Sequence, residues 1–130
     1  MKPNKCSLGL KLIICRTDLP AGNITLGGLM SVLPFEQSFD SLSLAGRHIR
    51  EAFEKSAEHW QAKAGTFLQV SGFKVVYNLT AEPRSRVSSV QVLGDEGTYE
   101  DLVDSKMYSV VVSQYIARGG DGYTCIADNK

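Results

Sequence analysis

The sequence has few of the residues from which catalytic and metal sites are usually built. Its 130 residues include only two histidines and three cysteines. Histidine is the usual base beside a nucleophile, and it is the commonest metal ligand together with cysteine. His48 and His59 lie off the apolar stripe of a predicted helix, so we interpret both as solvent-facing. The sequence therefore predicts no self-sufficient hydrolytic or metal site.

Net charge and long apolar runs are also lacking. Fourteen basic residues balance fourteen acidic ones, which argues against nucleic-acid binding, because domains that bind through bulk charge are usually strongly basic. The longest apolar stretch, around residues 10–16, is far shorter than the roughly 20 residues of a membrane span. The N-terminus has no cleavage-site pattern of a signal peptide. With 43% apolar residues, the composition is that of one ordinary globular domain.

The cysteines leave their pairing open. Cys6, Cys15 and Cys125 are an odd number, so at least one thiol stays free or pairs with another chain. A bridge between Cys6 and Cys15 is one alternative, and the pairing is otherwise left open.

Predicted helices and strands alternate along the chain. Apolar residues recur at helical spacing over residues 45–60, and a shorter helix is predicted over residues 26–33, before Pro34. Period-two alternation and β-branched residues predict four strands, at residues 41–44, 67–77, 87–93 and 108–112. This pattern indicates an α+β (mixed α/β) domain with a mixed sheet and two main helices.

Three local features have residue types suited to ligand binding. Glycines at 119–122 allow close backbone approach, and Asp121 on this turn can accept hydrogen bonds from sugar hydroxyls. Phe35, just after Pro34, can serve as a stacking platform, and Arg16 precedes a turn. Taken singly, each feature favours a structural interpretation instead: a tight turn, a core aromatic and a solvated arginine.

Taken together, these segments resemble the C-terminal domain of the 5'-nucleotidase family, which includes ecto-5'-nucleotidases, UDP-sugar hydrolases and salivary apyrases. The resemblance begins with GNITLGGLMSVLPF at residues 22–35 and continues through LAG at 44–46 and AFEKS at 52–56. It then runs through GTFLQVSG at 65–72 to ARGGDGY at 117–123. These motifs occur in the family's order and spacing.

The resemblance implies a substrate-binding role for five residues. Phe35 and Tyr115 occupy the positions of the two aromatics that clamp the nucleobase, and Asp121 occupies that of the ribose-hydroxyl acceptor. Arg16 matches an arginine on the ribose and phosphate side, and Gln37 matches a position that can face the edge of the base. The implied ligand is a nucleoside or nucleoside monophosphate such as adenosine or AMP, with roughly 1–3 kcal/mol from stacking of a base on each aromatic.

The resemblance also implies a domain arrangement. Residues 16–130 are expected to form the C-terminal-like domain, and residues 1–15 a divergent, truncated N-terminal segment. In the family, divalent metals such as zinc belong to a separate catalytic domain, so no cofactor is expected in this chain. That catalytic domain would be the intramolecular partner of this one in a full-length relative.

Two interpretations of function stay open. The favoured one is the nucleotide-binding domain of a 5'-nucleotidase-family phosphohydrolase, whose parent activity is hydrolysis of nucleoside 5'-phosphates in nucleotide catabolism. As an isolated chain it is expected not to be catalytic. The alternative is a non-enzymatic, secreted binding or decoy protein derived from a salivary-type 5'-nucleotidase or apyrase. A complete small enzyme is disfavoured because the sequence lacks clustered metal ligands.

Localisation follows mainly from the resemblance, which implies an extracellular or cell-surface protein. The sequons at Asn23 and Asn78 are compatible with a secreted glycoprotein, because each lies at a predicted turn or strand end.

Overall fold

Helices and strands alternate in the structure as well. The structure is a computed structural model that describes residues 18–32, 34, 38–62 and 65–130. Its main elements, in chain order, are α1 (Leu26–Val32), β1 (Phe39–Ala45), α2 (Gly46–Ala57), β2 (Phe73–Tyr77), β3 (Val87–Leu93), β4 (Tyr99–Asp101), β5 (Met107–Ser113), α3 (Gln114–Ala117) and α4 (Thr124–Ala127). Short 3₁₀ turns occupy Trp60–Ala62 and Gly120–Gly122.

Helix α2 forms where the sequence places its apolar stripe. Ile49, Ala52 and Phe53 are fully buried, as expected for one face of an amphipathic helix. The predicted helix continued to Trp60, but α2 ends at Ala57. The guanidinium of Arg86 donates to the carbonyl oxygens of Ala57 at 2.6 Å and Glu58 at 2.9 Å. A cation bonded to the last carbonyls stabilises a helix C-terminus at that point.

The start of α2 is held by the loop before β5. The amide of Gly46 donates to the carbonyl of Lys106 at 2.9 Å, and that of Arg47 donates to the carbonyl of Asp104 at 3.0 Å. These bonds satisfy two of the four amides that a helix N-terminus leaves without partners. A Cβ at Gly46 would collide with the carbonyl of Val103, so this close approach requires glycine.

The strands form two antiparallel sheets. One pairs β1 with β5, with Leu44 opposite Tyr108, and the other has the order β2-β3-β4. The predicted α+β class is confirmed; where a mixed sheet was expected, every strand pairing among the described residues is antiparallel. Exposed and half-buried residues alternate along β1 up to the buried Leu44, and alternate residues of β5 from Tyr108 to Val112 are buried, which is the pattern of antiparallel strands with one face against a core.

One core joins α2 to the inner faces of both sheets. Phe53 of α2 packs edge-on against Phe73 of β2, with ring centroids 5.4 Å apart. Val90 of β3 and Val110 of β5 lie in the same buried cluster. The side chain of Glu54 connects α2 to β3, because its two carboxylate oxygens accept the amides of Arg86 and Val87, each at 2.9 Å.

The other predicted elements differ mainly in extent. The strand predicted over residues 67–77 is shortened to β2, because the backbone bends at Gly72, whose φ is +79°. Upstream of that bend, Leu68 forms only an isolated bridge, and its amide bonds to the hydroxyl of Ser56. The predicted strands at 41–44, 87–93 and 108–112 correspond to β1, β3 and β5. The sequence pattern missed β4, α3 and α4, each of which has four residues or fewer.

Candidate nucleoside-binding site

The candidate site begins where β5 ends. The sequence predicted a strand over residues 108–112 and no helix after it, whereas β5 extends to Ser113 and Tyr115 lies in the short helix α3. The hydroxyl of Ser113 accepts a hydrogen bond from the amide of Ile116 at 3.4 Å, which is the geometry of a helix N-cap. Ile116 and Ala117 are buried, whereas the side chain of Tyr115 is 54% exposed. Helix α3 is therefore anchored in the core by its buried residues, while the ring of Tyr115 faces solvent.

The glycine-rich turn after α3 has a left-handed backbone. The φ angles are +85° at Gly119, +55° at Asp121 and +81° at Gly122. Aspartate tolerates this region better than most residues with side chains, and glycine adopts it without steric cost. The turn therefore places the half-buried Asp121 between two glycines, with Oδ2 of its carboxylate buried.

The ring of Tyr115 packs on the backbone of this turn. A Cβ at Gly120 would lie 2.5 Å from Cδ1 and 2.6 Å from Cζ of Tyr115, and would also overlap Cε1. Similar distances to three consecutive ring carbons place that position over the face of the ring. One ring face is therefore covered by Gly120, and no larger residue fits beneath it.

Tyr115 and Asp121 are joined by a hydrogen bond. The phenol hydroxyl donates to Oδ1 of Asp121 at 3.0 Å. Hydrogen bonds to a carboxylate are stronger than those between neutral groups. The structure therefore brings two of the predicted site residues into direct contact, as an exposed aromatic ring beside an oxygen acceptor.

Tyr123 anchors the other end of the turn. Its side chain is fully buried, and its hydroxyl donates to the carbonyl oxygen of Thr66. Burial raises the pKa of this phenol, because a charged phenolate would lose its hydration. Sequence reasoning treated this tyrosine only as part of a motif and missed its anchoring role, since nothing in the motif indicates its contact with Thr66.

A buried hydroxyl holds the segment that Tyr123 contacts. Ser56 of α2 is 1% exposed, and its Oγ accepts the amide of Leu68 at 2.8 Å. Nearby, burial raises the pKa of Tyr77 to about 12, opposed by a hydrogen bond with Ser56. These contacts connect α2 to the residue 65–68 segment and, through Tyr123, to the turn that carries Asp121.

A charged cleft lies on the α2 side of the turn. It has a volume of about 290 Å³ and is lined by Arg47, Arg50, Glu51, Glu54, Lys55, Arg84, Gly122, Thr124 and Cys125. Its cations are mostly paired: Arg50 contacts Asp104 at 3.0 Å and Lys55 contacts Glu58 at 2.6 Å. The lining itself has four cations and two carboxylates, and the carboxylates of Asp104 and Glu58 offset the remaining positive charge.

Cys125 lies in the wall of this cleft. It is a free, buried thiol, and burial raises its pKa to about 11. A thiol with a raised pKa carries little thiolate near neutral pH and is a poor nucleophile. Cys6 and Cys15 lie outside the described residues, so the alternative pairings stay open.

The remaining predicted site residues fall into two groups. Arg16, Phe35 and Gln37 lie outside the described residues, so their assignment stays a prediction. Asn23 and Asn78 are exposed. Oδ1 of Asn78 accepts bonds from the amide and hydroxyl of Thr80, at 3.1 and 2.7 Å.

The two histidines depart from the sequence interpretation. His48 lies on α2, but its side chain is only 15% exposed and its Nε2 accepts a bond from Nε of Arg47 at 3.1 Å. His59 lies beyond the end of α2 and is 61% exposed. Only His59 therefore faces solvent as expected.

Neither a metal site nor a membrane-spanning helix occurs in the described part of the chain. It contains no group of three or more His, Cys, Asp or Glu side chains arranged to hold a metal ion. The residues present there do not fit the divalent metals of the family, so we derive no metal-dependent step from them. None of the helices described is long and apolar enough to cross a membrane.

The elements described above define an α+β domain, and comparison with known proteins identifies its family. The model of the 5'-nucleotidase C-terminal domain matches residues 6–128. The chain therefore belongs to the 5'-nucleotidase C-terminal domain family.

Similar proteins and structures agree with this assignment. The chain is 39% identical to a 5'-nucleotidase from Diplobatis ommata, over 84% of its own length and 19% of the relative's. It is 46% identical to the snake venom 5'-nucleotidase of Naja atra, over 78% of this chain and 20% of that one. The crystal structure of a 5'-nucleotidase precursor from Thermus thermophilus superposes with a TM-score of 0.81 and 36% identity, over 97% of this chain and 24% of that one. The chain thus spans about a fifth of the length of these curated relatives.

Proposed function

We propose that this domain binds the nucleoside part of a nucleoside 5'-phosphate. The observation that carries the proposal is the pairing of an exposed ring, Tyr115, with a carboxylate, Asp121, at 3.0 Å. A flat exposed ring provides a stacking surface for a base, and a carboxylate beside it accepts hydrogen bonds from sugar hydroxyls. The combination suits a ligand with an aromatic base attached to a hydroxylated sugar.

Three further residues complete the proposed site. Phe35 would stack on the opposite face of the base, Arg16 would contact the ribose and phosphate side, and Gln37 would face the base edge. A planar guanidinium pairs well with phosphate oxygens. These roles come from the resemblance to the family and stay proposals, because the three residues lie outside the described part of the chain.

The proposed activity belongs to a larger protein. The curated relatives are named 5'-nucleotidases, and this chain matches about a fifth of their length. We infer that the domain presents its nucleotide to a catalytic domain that hydrolyses the 5'-phosphate ester. This chain's own residues would bind and orient the nucleotide for that reaction. We base this role on the site residues, because the same fold can serve several different functions.

We also propose an extracellular or cell-surface location. One supporting observation is that several relatives are named as snake venom proteins. A second is that both sequon asparagines, Asn23 and Asn78, are exposed, as glycosylation requires. Expression in a secreting eukaryotic host should give a mass shift on glycosidase treatment that is lost in the double variant Asn23→Gln/Asn78→Gln.

Calorimetric titration of the 130-residue chain with adenosine, and then AMP, without added metal tests the central proposal. Saturable binding is expected, and Tyr115→Ala should weaken it by roughly tenfold or more, because it removes one stacking surface. Tyr99→Ala is the matched control, since Tyr99 lies in β4, away from the turn. Absence of binding by a chain with native circular dichroism would reject the proposal for this domain. An equal loss in both variants would reject the role of Tyr115.

A further inference from the structure

We propose that the hydroxyl group of Tyr115 positions Asp121 for the ribose, so that this tyrosine determines sugar specificity in addition to stacking on the base. The inference rests on the proposed function, because it assigns a second role within the same site. It concerns the phenol oxygen, which base stacking does not need.

The position of the phenol oxygen is fixed from two sides. The ring lies over Gly120, whose missing Cβ leaves the space that the ring fills. The backbone of Tyr115 belongs to α3, which Ser113 caps and whose residues Ile116 and Ala117 are buried. The ring cannot turn away from Asp121 without leaving its contact with Gly120. The position of the Tyr115 hydroxyl is therefore fixed, and the Asp121 side chain adopts the rotamer that bonds to it.

The backbone of Asp121 is also fixed, so its side-chain torsions are its main remaining freedom. The amide of Gly122 bonds to the carbonyl of Gly119 at 3.1 Å, and that of Tyr123 bonds to the carbonyl of Gly120 at 3.2 Å. The phenol bond to Oδ1 at 3.0 Å restricts those torsions. A carboxylate oriented before the ligand arrives loses less conformational entropy on binding.

The chemistry allows the phenol and a sugar hydroxyl to bind together. Oδ2 of Asp121 is buried, so the sugar hydroxyl would have to share Oδ1 with the phenol. A carboxylate oxygen has two lone pairs, so accepting the phenol proton does not prevent Oδ1 from accepting another. Hydrogen bonds to a charged acceptor are also stronger than those to a neutral one. The expected ligand class is therefore ribonucleosides with intact 2'- and 3'-hydroxyls, in preference to 2',3'-dideoxynucleosides.

The test compares adenosine with 2',3'-dideoxyadenosine by calorimetry on the 130-residue chain and its Tyr115→Phe variant. Phenylalanine keeps the ring and its contact with Gly120 but removes the hydroxyl. Affinity for adenosine should fall about three- to tenfold, the usual range for one ordinary hydrogen bond, because the phenol acts on the ligand only through Asp121. Affinity for dideoxyadenosine should stay within about twofold of the native value, because that ligand has no ribose hydroxyl for Asp121 to accept. Tyr99→Phe, which removes a phenol elsewhere, should leave both affinities unchanged.

A double-mutant cycle links the effect to the carboxylate. Asp121→Gly removes the acceptor, and glycine tolerates the left-handed backbone at this position. In that background, Tyr115→Phe should cause no further loss of adenosine affinity, because the two groups act through one bond.

The possible outcomes separate the two proposals. If the native chain binds neither nucleoside, the proposed function fails, and this inference fails with it. If it binds adenosine and Tyr115→Phe weakens both nucleosides equally, the hydroxyl has only a structural role and the inference alone is rejected. A gain in adenosine affinity in Tyr115→Phe would also reject it, because the phenol would then compete with the ribose for Asp121.

Discussion

Two tyrosines flank the same glycine-rich turn, and their environments are opposite. Tyr123 is fully buried and bonds to the backbone of Thr66, whereas Tyr115 is 54% exposed and bonds to Asp121. Each hydroxyl has a partner, so hydrogen bonding alone does not distinguish them. The difference lies in what surrounds the ring: core side chains around Tyr123, and solvent on one face of Tyr115.

The comparison distinguishes residues that stabilise the turn from residues of the proposed binding site. A buried aromatic contributes to stability through its large apolar area. Holding an exposed ring in one orientation costs conformational entropy. The ring contributes little to stability until a ligand buries its free face. Tyr123 therefore belongs to the fold, and Tyr115 belongs to the site. Substitutions at the two positions should affect different properties.

The largest expected effect is on stability, at Tyr123. Tyr123→Ala should lower the free energy of unfolding by about 3–5 kcal/mol, as is usual when a buried aromatic side chain is removed. Tyr115→Ala should change it by less than about 1 kcal/mol. Urea unfolding followed by circular dichroism measures both. Comparable losses in the two variants would show that the division between an anchoring and a binding tyrosine is wrong.

A smaller effect is expected when the turn is altered under Tyr115. Gly120→Ala places a Cβ into the ring, which must then move off the turn. We expect about 1–3 kcal/mol of destabilisation from overpacking and a loss of adenosine affinity of roughly tenfold or more, because the stacking surface is displaced.

The control for this variant is Gly27→Ala. Gly27 lies in α1, and a Cβ there would have no atom within 4 Å. Alanine in a helix should be neutral or slightly stabilising. If Gly120→Ala binds adenosine as well as the native chain does, the packing of Tyr115 on the turn does not matter for binding.

The parts of the fold that sequence predicted were those with strong local patterns. The stripe of α2 and the β-branched run of β5 have periodicities that depend on their own residues, and both elements were found. The end of α2 was missed because it depends on Arg86, which is distant in sequence and reaches back to the carbonyls of Ala57 and Glu58. No window of local sequence contains that contact.

The site residues show the same difference between features set by local sequence and features set by distant contacts. Asp121 was recognised through its glycine neighbours, because a left-handed turn imposes a local requirement on residue type. Tyr115 was identified by resemblance, but its helical position was not predicted, since α3 is four residues long and is defined by its Ser113 cap. The bond between Tyr115 and Asp121 requires both the helix and the turn. A strand continuing to Tyr115 would have placed the ring differently, so the sequence pattern could not predict the contact.

The smallest expected effect is at Lys55, which contacts the turn from the α2 side. Its Cε would lie 3.2 Å from a Cβ at Gly122, and its Nζ bonds to Oε2 of Glu58 at 2.6 Å. Lys55→Met keeps the aliphatic contact and removes the charge. We expect the free energy of unfolding to fall by about 0–1 kcal/mol at pH 7, as for other partly exposed ion pairs, and adenosine affinity to stay unchanged.

The pH dependence of this variant identifies the charge as the cause. The hydrogen bond from Lys55 lowers the pKa of Glu58 below its usual 4.5. A carboxylate whose pKa is lower in the folded state stabilises the fold above its unfolded pKa, and that contribution is lost as the pH falls. The difference in unfolding free energy between the native chain and Lys55→Met should therefore stay constant from pH 7 to about 4.5 and disappear as the pH falls further, through the lowered pKa of Glu58. A difference that persists below that pKa, or a loss of adenosine binding, would show that the ion pair with Glu58 is not the cause.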